Sequence, residues 1–272
     1  MRAAAPSPTY PAARPRAFGA LVGHQFHYDL RTYGRNYQSL FFTLGMPVMF
    51  LLIFASVFGH GKVSIGGFSM STSVYYVPGI MTMGIVSAAF GNLAASVIGT
   101  REAGIYKRRR ATPVPAAALI ASRALVVVAV SLAITVVLIV IGYAYGASIP
   151  ARTAPVLVLD VIVSTLALCC LAYALASVVR SRDAVMPIVL GITLPLYFIS
   201  GVFVPSSEIP HWLLDVAAVF PVRHVAAALV SVYNPGTTGS GIRWVDLVIV
   251  AAWGAFGLIV AVRRFTWLPR GN

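Results

Sequence analysis

The sequence predicts an all-α integral membrane protein: six transmembrane helices preceded by an N-terminal helix in the membrane interface. Two observations carry this. Of 272 residues, 59% are hydrophobic and only 10% are charged, whereas an ordinary soluble domain carries about 25% charged residues. The mean hydropathy of +0.87 is concentrated in apolar runs of about 20 residues, the length that crosses a hydrocarbon core of about 30 Å as a helix. This composition excludes a soluble enzyme, a disordered tail and a secreted disulfide scaffold.

Residues 1–16 hold four prolines, three arginines and no apolar run, and read as a disordered arm. From 17 to 38, Phe18, Leu21, Val22, Phe26, Leu30, Tyr33 and Tyr37 recur at helical spacing among polar residues such as Arg31, Arg35 and Gln38. That pattern predicts an amphipathic interfacial helix. Six spans follow, Leu40–Phe58, Val74–Ile98, Ala124–Tyr145, Pro155–Val179, Ala184–Val204 and Val245–Val262, each bounded by charge, Gly or Pro. Between the last two, residues 206–233 are too apolar for a free loop and too interrupted by Pro210 and Pro221 for a span. They predict an outer re-entrant hairpin in which Trp212, Leu213, Val216, Val219 and Phe220 dip into the membrane.

The basic residues orient this array. With both termini in the cytoplasm, sixteen of the twenty Lys and Arg fall inside and only Lys62, Arg152, Arg223 and Arg243 fall outside. The formal charge of +13 is thereby explained without nucleic acid.

Few residues can carry chemistry. His24 and His27 share a helix face without a third ligand, and His60 and His224 stand alone as solvated or interfacial residues. His211 and Asp215 sit at i, i+4 and could hydrogen-bond, but no activated Ser or Cys accompanies them. Cys169 and Cys170 are adjacent, which suits neither an ordinary disulfide nor a spaced metal site. No catalytic and no metal site is therefore assigned. A phosphate-binding loop needs Gly-Lys-Ser/Thr; Lys62 precedes Val63 and Lys107 precedes Arg108, so ATP use would require another chain. Asp160 and Asp246 are the clear ionisable residues within spans, near the outer helix ends, and are read as solvated or hydrogen-bonded across helices.

The stretch from Thr100 to Arg123 has two readings. One is a basic loop against anionic lipid. The other is a short helix docked to a partner, which also accounts for Glu102 beside Arg101, the break at Gly104 and the turn at Pro113-Val-Pro115.

Four stretches in order, RNYQSLFFTLGMPVMFLLIFASVFG, YYVPGIMTMG, REAGIYKRRRATPVP and FISGVFVPSSEIPHWL, resemble the type-2 ATP-binding-cassette (ABC) export permeases, especially their daunorubicin-resistance-like bacterial members. The resemblance covers the chain from about residue 30 onward. It implies a transmembrane permease subunit of the bacterial inner membrane, paired as a homodimer or heterodimer, each copy resting on a separate ATPase subunit that holds ATP and Mg2+. This chain would carry no cofactor of its own. It places a cytoplasmic coupling helix within 101–115, with Arg101, Glu102, Gly104, Tyr106, Lys107, Arg108, Arg109 and Arg110 as ATPase-docking residues. Thr100 and the Arg108–Arg110 run depart from the family's usual pattern, which suggests an unusually acidic groove on the partner.

It also implies alternating access driven by that ATPase. A cleft lined by Phe42, Met46, Phe50, Phe54, Phe90, Tyr197 and Phe198 would suit an amphipathic drug-like or lipid-like substrate, as in multidrug resistance; each is equally readable as lipid-facing or helix-packing. Two alternatives stand beside this reading: an integral membrane enzyme acting on a lipid through His211 and Asp215, and an ATP-independent secondary transporter.

Overall fold

The computed structural model of the protein describes residues 18–59, 61–65, 68–104, 115–179, 181–234 and 241–264. Within these, α1 (Phe18–Gly34) precedes six helices long and apolar enough to cross a membrane. They are α2 (Tyr37–Phe58), α3 (Thr72–Glu102), α4 (Ala117–Ala144), α5 (Ala154–Val178), α6 (Arg182–Ile199) and α9 (Trp244–Arg264). Before α9 stand α7 (His211–Ala217) and α8 (Pro221–Tyr233), bent by 105° at the break between them. The helices start where the local chemistry favours a start: Asn36, Ser71 and Ser181 cap α2, α3 and α6 through their side chains, and a proline opens α8.

The antiparallel pairing β1 (Lys62–Ile65) with β2 (Phe68–Ser71) joins α2 to α3, a hairpin not expected from the sequence. It defines one end of the bundle. The other end, called the basic end here, carries α1, the close of α3 and the start of α6.

The core lies between α3, α5 and α8. Helix α3 is buried nearly all round through its first four turns, whereas α2, α4, α6 and α9 bury one face and expose the other. The exposed faces carry large apolar side chains, among them Leu52, Ile53, Val140, Leu194 and Phe256, as lipid contact requires. Helix α9 lies against α5 at two glycines. A Cβ on Gly254 would stand 2.9 Å from Ala167 Cα, and one on Gly257 would stand 2.8 Å from Leu171 N. Such backbone approach is how membrane helices gain attraction where burial from water supplies none.

Two π-helical turns interrupt the spans, Phe41–Gly45 in α2 and Ser87–Asn92 in α3. The first precedes Pro47, which cannot donate to the carbonyl of Thr43, so the ladder shifts there. The two turns meet: Asn92 donates to the hydroxyl of the fully buried Thr43, and Tyr33 of α1 donates to the same oxygen at 2.8 Å. Burial pushes the Tyr33 hydroxyl above its ordinary range.

Candidate functional site

At the basic end, α3 closes at Gly104, whose φ of +64° is the left-handed conformation glycine adopts most readily. Just before it, Arg101 and Glu102 turn to the adjoining helix ends. Arg101 is only 2% exposed. Its Nη1 donates to the Ala176 carbonyl and its Nη2 to the Val179 carbonyl, both at 2.7 Å. The Glu102 carboxylate accepts from the backbone N–H of Arg182 at 2.9 Å. Read as docking residues, these two do something else first: Arg101 faces inward and is spent on the end of α5. Gly104 stands at the turn where the described chain stops. Tyr106, Lys107, Arg108, Arg109 and Arg110 lie outside the described residues, as does the arm 1–16.

Beside this end opens a cavity of about 540 Å³ between α1, α2, α3, α4 and α6. Its apolar wall includes Phe42, Val126, Val127 and Met186, and its polar side includes Asp29, Asn36, Asn92, Arg123 and Arg182. Asp29 is held by Gln25 at 2.9 Å and by Ser122 at 3.1 Å, tying α1 to α4. Arg123 donates to Thr100 at 3.1 Å.

The seven aromatic and methionine candidates do not form one lining. Phe50, Phe54, Tyr197 and Phe198 gather around Phe203, whose ring lies 5.3–5.6 Å from theirs. Tyr76 joins at 5.0 Å from Phe54, and Tyr75 closes the cluster by donating to the Gly201 carbonyl at 2.6 Å. This cluster sits at the β-hairpin end. Phe42 lies at the basic end in the cavity, paired edge-on with Phe41. Met46 and Phe90 pack half-buried against the core. Phe203 is not among the candidates: the sequence places it inside the fifth span, Ala184–Val204, whereas α6 ends at Ile199 and Phe203 stands in the turn beyond it.

The ionisable residues correct the sequence reading most. His224 is neither solvated nor alone: it is 8% exposed, with Nδ1 2.6 Å from Asp246 Oδ1 and Nε2 donating to the Ala218 carbonyl at 2.8 Å. Asp246, in the first turn of α9, also pairs with Arg243. The cause is the placement of α8, which the structure buries on nine of its thirteen residues. In the bent segment it is α8 that lies inside, while Trp212, Val216 and Val219 are exposed. His211 and Asp215 are both exposed, and among the described residues no hydrogen bond joins them. Asp160 is 1% exposed, so it is not solvated, and neither carboxyl oxygen has a hydrogen-bond partner among the described residues.

Six spanning-length helices with apolar outer faces make this a multi-pass membrane protein. The model of the ABC-2 type transporter family matches residues 21–234, and the chain belongs to that family. It is also similar to a Porphyra purpurea protein provisionally named transport permease ycf38, at 23% identity over 224 residues, which is 80% of this chain and 75% of that protein.

Proposed function

We propose that the protein is the transmembrane subunit of an ABC exporter in a bacterial inner membrane, with both termini cytoplasmic, working as a homodimer or heterodimer. A separate ATPase subunit binds ATP and Mg2+, and its cycle switches the helix bundle between inward-open and outward-open packings. The substrate is an amphipathic drug-like or lipid-like molecule.

Family membership supports the transport role, and the want of a Gly-Lys-Ser/Thr loop in the sequence supports an engine on another chain. The sixteen-to-four bias of basic residues that the sequence gives when both termini are placed in the cytoplasm supports the orientation. The observation that carries the substrate class is the cavity at the basic end, which sets an apolar wall beside polar and charged groups, as an amphiphile's tail and headgroup require.

The test is ATP hydrolysis by the purified complex in lipid nanodiscs. Amphipathic drugs or short-chain fluorescent phospholipids should stimulate it, and hydrophilic oligosaccharides should not. Stimulation by the oligosaccharides alone would overturn the amphipathic assignment. A Met186→Asp variant, which places a carboxylate on the apolar wall, should lower the apparent affinity for the stimulating amphiphile.

A further inference from the structure

An α-helix leaves its last carbonyls and its first N–H groups without partners, and these ends carry partial negative and positive charge respectively. Where one span ends and the next begins within a few residues, a carbonyl end and an N–H end lie side by side. The turn from α5 to α6 is such a place, with Val178 and Arg182 as the flanking helical residues.

Two consecutive residues of α3 meet both ends. The Arg101 guanidinium spans the carbonyls of Ala176 and Val179, so a cation sits on the carbonyl end of α5 in a bidentate, charge-assisted pair. The Glu102 carboxylate takes the N–H of Arg182, so an anion sits on the N–H end of α6. Ser181 completes that end by accepting from Asp183 N at 3.2 Å. One turn earlier, Gly99 of α3 lies against the Arg182 side chain, where a Cβ would be 3.5 Å from its Cδ. The signs match the helix dipoles at both contacts. The Arg101 contact is also closed to solvent, where such bonds are strongest.

Two residues after Glu102 the chain turns at Gly104 toward the segment in which the family resemblance places the ATPase-docking residues. From this placement we infer that Arg101 and Glu102 are positioning residues which lock the ends of α3, α5 and α6 into one body. A displacement of the segment after Gly104 is then delivered to three spans together rather than to α3 alone. This rests on the ABC reading for its driving force; the lock itself rests on the geometry.

The experiment uses the full chain, with Cys169 and Cys170 replaced by Ser, and spin labels on the exposed Ala103 and Leu190. It is purified with whatever ATPase accompanies it and measured by pulsed electron resonance. In the otherwise native chain, the distance between the labels should be the same without nucleotide and after trapping with ATP and vanadate. In Arg101→Ala/Glu102→Ala it should shift on trapping. Glu102→Gln, which keeps an acceptor oxygen, should restore the native behaviour in a chain with Arg101 intact, and this separates the lock from general damage to the fold.

A nucleotide-dependent shift in the native chain would overturn the inference, and so would a double variant that stays as invariant as the native protein. If no ATPase accompanies the chain, the exporter reading fails while the lock remains testable. The double variant should then give a broader distance distribution than the native chain without nucleotide, and an unchanged width would overturn it.

Discussion

Replacing His224 by leucine should destabilise the protein severely, and the structure sets the size of the effect. The ring bridges α8 and α9, 2.6 Å from Asp246 Oδ1 on one side and 2.8 Å from the Ala218 carbonyl on the other. Both His224 and Asp246 are buried, at 8% and 4% exposure, so water cannot replace a lost partner. Removing one member of such a pair costs about 3–5 kcal/mol, because the Asp246 oxygen that faced the ring stays buried without a partner, the half-exposed Arg243 reaching only the other oxygen. For a chain of this size each kcal/mol moves the thermal midpoint by about 2–4 °C, so His224→Leu should lower it by roughly 6–20 °C. Asp246→Asn should also lower it, and the double variant should cost clearly less than the sum of the two.

Arg243 also contacts Asp246, but its side chain is 52% exposed, so Arg243→Ala should change stability by no more than about 1 kcal/mol. The assay is thermal unfolding in mild detergent followed by tryptophan fluorescence. Trp253 is a local reporter, since it stacks on Phe220 and donates to the Val219 carbonyl at 2.9 Å. Additive losses from His224→Leu and Asp246→Asn would refute the reasoning, as would an Arg243→Ala effect as large as that of His224→Leu.

Gly257→Ala should destabilise by about 1–3 kcal/mol through overpacking, since its Cβ would meet the backbone of α5 at 2.8 Å. Gly191→Ala, in α6 with nothing within 4 Å, should be neutral or stabilising, and thermal midpoints of the two decide the contrast. Asp160→Leu should raise the thermal midpoint, because a buried carboxyl without a partner is removed; a fall would show that Asp160 has a stabilising role. Phe203→Ala should cost about 3–5 kcal/mol, read by the same melt, because four aromatic rings lose their common neighbour. Tyr33→Phe should cost about 1 kcal/mol by deleting the donor to Thr43.

The spans were legible because a run of apolar residues long enough to cross a bilayer has few other stable uses, and the bounds in the structure differ from the expected ones by several residues at some ends. The site was legible only in part. Arg101 and Glu102 are marked in the sequence as docking residues after the second span, but a local sequence window cannot show that α5 ends beside them, 75 residues further on. His224 looked solitary because its partner lies 22 residues away on another helix. His211 and Asp215 had the helical spacing of a pair, yet α7 presents both to the outside. The π-helical turns left a trace in Pro47, whose missing N–H disturbs the ladder, but nothing near Ser87–Asn92 marks the second. Phe203 escaped because its importance comes from rings on α2 and α6 that only the fold brings together.

The most direct measurement of the central claim is to purify the tagged chain from its native membrane in mild detergent and identify by mass spectrometry what comes with it. A P-loop ATPase should be recovered in about equal amount, and it should be lost when Lys107, Arg108, Arg109 and Arg110 are replaced by alanine. If no ATPase is recovered even after gentle cross-linking, the claim that a separate subunit drives this permease is contradicted.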